Sequence, residues 1–250
     1  MTELIAAVGL LQLALVAAVV VLAAVLRAFT GFGFALAAVP VFSLLMSPAQ
    51  AVVLSASLAF AISLLTIRTY WGSYPLTAMA PLLAMALAGT GVGVLVLTAL
   101  SGEQFQLYIG VAVLLACLAL TFYRSGRLRP GPWRGAAAGV VSGLLNGAFA
   151  IPGPPVILYA MATEPDPARS RSLLLTFFLF SSAGALVMYA VAGLVTTLSL
   201  WLFLLAFPAM YVGDKIGYRL FHRHGTTLYR RVALAALYAV GVGIILKALD

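Results

Sequence analysis

The sequence TGFGF at residues 30–34 and the sequence NGAFA at residues 146–150 decide the fold of this chain. Each stretch ends one apolar segment and opens another, and proline follows soon after, at Pro40 in the first case and at Pro152 in the second. Because glycine and proline disturb the hydrogen-bond ladder of a helix, both stretches predict a break between two helices. Duplicated helix breaks at matching positions of two halves indicate the binding site of a membrane transporter.

Composition defines the class of protein. Of the 250 residues, 64% are hydrophobic and 8% are charged, whereas about 25% are charged in an ordinary soluble domain. The apolar runs are long and continuous, which indicates membrane helices and not the short alternating strands of a barrel. We therefore predict an all-α integral membrane protein. The net charge of +8 comes mainly from basic residues that cluster in loops, so no nucleic-acid partner is expected.

The basic residues determine the predicted topology. They cluster in three connections: Arg124, Arg127, Arg129 and Arg134; Arg169 and Arg171; and Lys215, Arg219, Arg223, Arg230 and Arg231. Basic loops stay in the cytoplasm. A single crossing by residues 135–163 would place two of these clusters on opposite sides, whereas a hairpin of two short helices, 135–149 and 153–163, keeps all three inside. We therefore predict the hairpin.

The same rule predicts two inverted repeats. In the first half it places Glu3 and Glu103 outside and Arg68 inside. Each half then has a broken-helix hairpin and three transmembrane helices, and this odd number of segments inverts the second half. The predicted domains are repeat 1 at 1–123 (hairpin 4–46, spans 50–67, 75–99 and 105–123), a basic cytoplasmic linker at 124–134, and repeat 2 at 135–250 (hairpin 135–163, spans 172–195, 199–219 and 231–249).

Small residues predict close helix packing in both halves. Gly89 and Gly93 match Gly213 and Gly217, and both pairs have the spacing that lets helices approach closely. A second pattern places glycine at every fourth position on one helix face, at Gly135, Gly139, Gly143 and Gly147. That face should contact another helix nearly backbone to backbone.

The breaks are the predicted substrate site. Unpaired backbone groups at membrane depth are tolerated against protein or a wet cavity, and a helix that restarts there presents N–H groups and a positive dipole end to an anion. Thr30 and Asn146 precede the break glycines and are expected to cap the restarting helix or to contact substrate. The sequence IPGPP at 151–155 is expected to begin with an extended turn. The alternative is that both breaks are kinks that serve helix packing.

Several polar residues accompany the breaks. Arg27 lies three positions before Thr30 in an apolar segment, where it would either bind substrate or anchor the helix at the headgroups. Asp214 and Lys215 would pair, anchor their helix or relay a proton, and Asp214 is the candidate for ion coupling. Ser57, Thr176 and Ser181 would bind an oxyanion or hydrogen-bond carbonyls of their own helices.

Other classes of function find little support. The two histidines, His222 and His224, lie in a basic loop, Cys117 is the single cysteine, and no carboxylate pair or metal-ligand spacing occurs. We therefore expect no enzyme activity, no cofactor and no metal. A channel stays open as an alternative, because saturation and counterflow, which distinguish a transporter from a pore, are kinetic properties.

The whole chain resembles the sulfite exporter TauE/SafE family, also called the toluenesulfonate uptake permease family. The resemblance lies in the duplicated glycine break with its following proline, the Gly-xxx-Gly segment of each half, the length of 250 residues and the basic central loop. In place of the glycine cluster usual after the break, the second copy has Ala148 to Ile151 and then proline. The resemblance implies that these residues bind substrate: Thr30, Gly31, Phe32, Gly33, Asn146, Gly147, Pro152, Gly153 and Pro154.

The resemblance also implies the function. Such proteins are secondary transporters of sulfur-containing anions, such as sulfite, sulfoacetate or other organosulfonates, in the bacterial inner (plasma) membrane. We expect export by alternating access, with an anion channel or an uptake permease as the alternative. The expected partners are the small anionic substrate and membrane lipid, a homodimer is left open, and both termini are expected outside.

Overall fold

The structure is a computed structural model that describes residues 9–30, 33–122, 131–224 and 226–249. Over these residues the chain is helical and contains no strand. The helices are α1 Leu10–Thr30, α2 Phe34–Leu45, α3 Pro48–Leu65, α4 Leu76–Ala99, α5 Gly102–Phe122, α6 Pro132–Phe149, α7 Gly153–Thr163, α8 Pro167–Val191, α9 Thr197–His224 and α10 Thr226–Leu249, with a short 3-10 turn at Ile67–Thr69. The predicted all-α class is confirmed.

Six helices in the described ranges are long and apolar enough to cross a membrane, namely α1, α3, α4, α5, α8 and α9. Helix α2 is apolar but shorter. Many large apolar side chains on the long helices are exposed, among them Leu95, Leu115 and Val187. This pattern is expected of a surface in contact with lipid, because a membrane helix has apolar side chains on its outer face as well as on the face that packs against protein. The chain is a multi-pass membrane protein.

The first break separates α1 from α2. Helix α1 ends at Thr30, and α2 starts at Phe34 after Gly33, whose φ of 103° lies in the left-handed region. Glycine adopts this conformation without steric cost, so the helix interruption predicted for TGFGF is confirmed. At the other end of α2, the amides of Gln12 and Gln106 donate to the carbonyls of Leu45 and Ser43.

The second break separates α6 from α7. Helix α6 ends at Phe149 and is followed by Ala150 with a φ of 56°, the single non-glycine residue with positive φ in the described chain. The N–H groups of Ala150 and Ile151 donate to the carbonyls of Asn146 and Leu145, at 2.7 and 3.2 Å. These bonds satisfy carbonyls that the ending helix leaves unpaired.

The start of IPGPP lies outside a helix, as expected, and α7 begins at Gly153, where the hairpin helix 153–163 was predicted. The turn is not extended at Pro152, however, since its φ of −76° and ψ of −11° are helical values, and Pro154 and Pro155 lie in the first turn of α7. Proline is compatible with the first turn, because the N–H that it lacks would have no partner inside the helix.

The helices form two compact units, and each unit combines parts of both sequence halves. The first unit comprises Met1–Leu58, Ser101–Leu114 and Val195–Asp250, and the second comprises Ala59–Leu100 and Leu115–Leu194. The predicted repeats at 1–123 and 135–250 divide the chain by sequence order, whereas the two units divide it by contacts. The repeats therefore stay a prediction.

In the second unit, the glycine face of α6 packs on α4. A Cβ atom added at Gly139, Gly143 or Gly147 would overlap a backbone carbonyl of α4, that of Leu82, Ala86 or Thr90 respectively. Both sets of positions advance by four, so the two helices run parallel. The predicted contact, backbone to backbone, is confirmed.

The first unit contains a similar helix pair. A Cβ atom added at Gly213 of α9 would lie 2.6 Å from the carbonyl oxygen of Val21 and 2.8 Å from Cβ of Ala24, both in α1. In each unit, then, a helix with the Gly-xxx-Gly spacing packs against the first helix of a break. The inverted relation of the two halves remains a prediction.

Candidate functional site

A charged pair lies close to the first break. Nη1 of Arg27, in the last turn of α1, is 3.0 Å from Oδ1 of Asp214 in α9, and the side chains are 14% and 25% exposed. The glycine preceding Asp214 lets α9 approach α1, which places the two side chains within reach. Sequence reasoning named both residues but not their pairing. Lys215 instead places its ammonium 5.4 Å from the ring centre of Tyr211.

Helix α2 presents its N-terminus at the first break. Within the helix the first backbone bond joins the N–H of Ala37 to the carbonyl of Gly33, at 3.1 Å. The preceding N–H groups, those of Phe34, Ala35 and Leu36, have no carbonyl partner inside α2. Thr30 ends α1, but its side chain, and all of Gly31 and Phe32, lie outside the described residues.

Asn146 is buried at the second break and holds two helices together. Its Nδ2 donates to the carbonyl of Ser181 in α8 at 2.9 Å, and the side chain is nearly inaccessible, with 2% exposed. The hydroxyl of Tyr189 donates to the carbonyls of Asn146 and Gly147, at 2.8 and 3.1 Å. Tyr189 therefore caps the end of α6. This role of Tyr189 was not predicted from the sequence. The sequence did contain a sign of it, because a tyrosine hydroxyl in an apolar helix needs a hydrogen-bond partner when it is buried.

The second break offers few donors to an anion. Among the first four residues of α7, Pro154 and Pro155 have no N–H, so that Gly153 and Val156 remain. The carbonyl of Pro152 accepts a hydrogen bond from the Ser142 hydroxyl. The two breaks are therefore chemically different, since the first turn of α2 contains no proline.

The three predicted hydroxyl residues differ in their partners. Ser57 donates to the carbonyl of Val53 at 2.8 Å, and Ser181 lies 3.4 Å from the carbonyl of Phe178, so both bond within their own helices. Thr176 is buried but borders a cavity. Arg27, Gly33, Ser57 and Asp214 belong to the first unit, and the other described candidates, from Asn146 to Ser181, belong to the second.

The chain is similar to known transport proteins. Residues 16–244 match the sequence model of a family described as "Sulfite exporter TauE/SafE". A curated protein of Cupriavidus necator, named "Probable sulfite/organosulfonate exporter TauE", is 28% identical over 169 residues. This match covers 64% of the present chain and 64% of that protein, just under two thirds of its length. No solved structure gives a significant match.

Proposed function

Because the chain belongs to the sulfite exporter TauE/SafE family, we propose that it exports a small sulfur-containing oxyanion, either sulfite or an organosulfonate such as sulfoacetate, across a bacterial inner membrane. The observation that carries the proposal is the pairing of Arg27 with Asp214 next to the first break. A guanidinium that binds a carboxylate has the donor geometry to bind another oxyanion as well.

Substrate binding is an exchange of partners at Arg27. The planar guanidinium binds two oxygens of a carboxylate, and a sulfite or sulfonate group presents oxygens with similar spacing and charge. In the empty protein Asp214 takes this position. In the loaded protein the substrate takes it, and the N–H groups in the first turn of α2 add the positive end of a helix dipole.

The two helix breaks serve alternating access. Repeats of this kind rock against each other around a fixed site in the membrane. The close glycine contacts of α4 with α6, and of α9 with α1, support this role because they tie the first helix of each break to a long membrane helix that can move with it as one body. The membrane potential favours export, since an anion that leaves a negative-inside cell gains about 2.3 kcal/mol per charge per 100 mV.

Efflux from proteoliposomes tests the proposal. Vesicles loaded with labelled sulfite or sulfoacetate should lose the label at a rate that depends on the protein. Arg27→Gln should slow the efflux by about tenfold or more, the equivalent of losing hydrogen bonds to a charged group. Arg68→Gln changes an exposed arginine outside the long helices and is the matched control. Efflux by Arg27→Gln at the rate of the unchanged protein would contradict the assignment of Arg27.

A further inference from the structure

A cavity of about 290 Å³ lies within the second unit. Its walls are formed by Trp71, Tyr74, Pro75, Leu76, Thr77 and Thr176. The volume is near the lower end of the roughly 300–1,000 Å³ of small-molecule pockets, so the cavity has room for a few heavy atoms beyond a bare oxyanion. Among the described residues, neither break contributes a side chain to it.

Thr176 is a buried residue whose hydroxyl borders the cavity without a protein partner in the described ranges. Thr176 is 2% exposed and borders the cavity, yet within the described chain its hydroxyl forms no hydrogen bond. Two other buried threonines of this unit bond four residues back, Thr90 to Ala86 at 2.7 Å and Thr163 to Tyr159 at 2.7 Å. Among the described residues, the fully enclosed hydroxyl without a partner is that of Ser55; the Thr176 hydroxyl reaches the cavity, where it can donate to a ligand.

The start of α4 forms the facing wall. The helix begins at Leu76 after Pro75, which supplies no side-chain cap. The Ala78 N–H donates to the carbonyl of Pro75 at 3.2 Å. The two earlier N–H groups, those of Leu76 and Thr77, have no carbonyl partner inside the helix. This wall therefore carries free donors and the positive end of a 24-residue helix.

The aromatic side chains of Trp71 and Tyr74 form another part of the wall. The rings of Trp71 and Phe180 are 6.3 Å apart, and the Arg169 guanidinium lies 5.8 Å from the ring centre of Tyr74. Burial raises the pKa of the Tyr74 hydroxyl, and the nearby Tyr159 and Glu164 act in the same direction. Tyr74 is therefore neutral at physiological pH, and the cavity wall brings no negative charge from this residue.

We propose that the cavity is a binding subsite for organosulfonates, a proposal that rests on the function proposed above. The sulfonate oxygens accept hydrogen bonds from the Thr176 hydroxyl and from the N–H groups of Leu76 and Thr77. The carbon tail lies against Trp71 and Tyr74. Sulfite has no tail to cover these rings, so the subsite selects organosulfonates over sulfite.

Tryptophan fluorescence tests the subsite without any transport. The chain has three tryptophans, so the full-length double variant Trp133→Phe, Trp201→Phe leaves Trp71 as the reporter. Titration with taurine or sulfoacetate should change its emission with saturation, and sulfite should need a concentration about tenfold higher, because apolar burial of a short tail is lost. An equal response to sulfite and sulfoacetate would overturn the selectivity.

Substitutions at Thr176 test its role in that same background. Thr176→Val should raise the half-saturating concentration of sulfoacetate about tenfold, and Thr176→Ser, which keeps the hydroxyl, should restore it. Thr90→Val removes a helical hydroxyl that is bonded within α4, and it should titrate like the parent. A Thr176→Val protein that titrates like the parent would overturn the proposal.

The two proposals fail in different ways. If the unchanged protein shows no efflux of any sulfur oxyanion, the exporter function is wrong even if Trp71 responds to sulfonates. If efflux occurs and Trp71 gives no saturable response to taurine or sulfoacetate, the exporter function stands and the subsite is wrong.

Discussion

The ion pair of Arg27 and Asp214 leads to a prediction about anion affinity. If Asp214 competes with the substrate for Arg27, as we propose, Asp214→Asn should lower the half-saturating anion concentration for efflux, by about tenfold for the loss of a charged competitor. The variant should also be less stable, because one partner of a partly buried pair is removed. Concentration-dependent efflux measures the first effect and thermal unfolding the second.

Glu103→Gln is the control for this prediction. Glu103 is an exposed carboxylate in the first turn of α5, and its loss should leave the half-saturating concentration unchanged. If Asp214→Asn also leaves it unchanged while efflux persists, then Asp214 does not compete with substrate at Arg27.

Tyr189 gives a second residue-scale prediction. Tyr189→Phe removes the donor that two carbonyls at the end of α6 share. The Asn146 carbonyl keeps its bond from the Ala150 N–H, whereas that of Gly147 loses the hydroxyl. Leaving a buried acceptor unpaired costs about 1–3 kcal/mol, so the variant should unfold at a lower temperature in detergent. Tyr108→Phe changes a tyrosine that is 48% exposed and should unfold like the parent. Equal melting of the Tyr189→Phe protein and the parent would show that the cap adds no stability.

Sequence showed these side chains but not their partners. The Arg27–Asp214 bond joins residues 187 positions apart, and the Asn146–Ser181 bond joins residues 35 apart. Such pairs depend on which helices pack together and in what register. The chemical type of one residue does not specify either of these. The charge of Arg27 inside an apolar run was visible because such a charge is costly there.

At the scale of elements, the glycine face of α6 determines how closely α4 approaches. Gly143→Ala would place a methyl group against the Ala86 carbonyl and push the helices apart. Such overpacking costs about 1–3 kcal/mol. Thermal unfolding should therefore occur at a lower temperature than in the parent.

A glycine with open space provides the comparison. A Cβ atom at Gly243 of α10 meets nothing within 4 Å, and alanine favours a helix over glycine by about 1 kcal/mol. Gly243→Ala should therefore unfold at the same temperature as the parent or higher. Similar melting of Gly143→Ala and Gly243→Ala would contradict the tight packing of α4 on α6.

Local sequence rules predicted the ends of helices well where a single residue determines the backbone conformation. Gly33 takes a left-handed conformation, and the helices stop on either side of it. For IPGPP the rules predicted the non-helical start and the helix from Gly153, but not that Pro152 has helical backbone angles in place of extended ones. Glycine spacing indicated that α6 packs closely, but not that α4 is its partner, since spacing carries no information on the partner.

At the scale of the molecule, composition and motif together identified the class. A chain with 8% charged residues has too few charged side chains to cover the surface of a soluble protein. The family match confirms the resemblance that the duplicated motifs indicated. The grouping of helices into two units was not predicted, because each unit combines segments from both halves and its contacts are distant in sequence.

The membrane potential should drive export. If the substrate leaves as an anion without a coupled ion, efflux from vesicles should quicken when the inside is made negative, in proportion to about 2.3 kcal/mol per charge per 100 mV. Rates measured at several imposed potassium diffusion potentials check this. Rates that do not depend on potential would indicate an electroneutral cycle, and Asp214 would then be the first carboxylate to test for proton coupling.

We propose that the chain is a carrier that exposes one anion site alternately to the two sides of the membrane. Counterflow distinguishes such a carrier from a pore: proteoliposomes containing unlabelled sulfoacetate are diluted into a trace of labelled sulfoacetate. A carrier predicts transient accumulation of label inside, with an initial rate that saturates as the outside concentration rises. Label that only equilibrates, at a rate linear in concentration, would contradict the claim and indicate a pore.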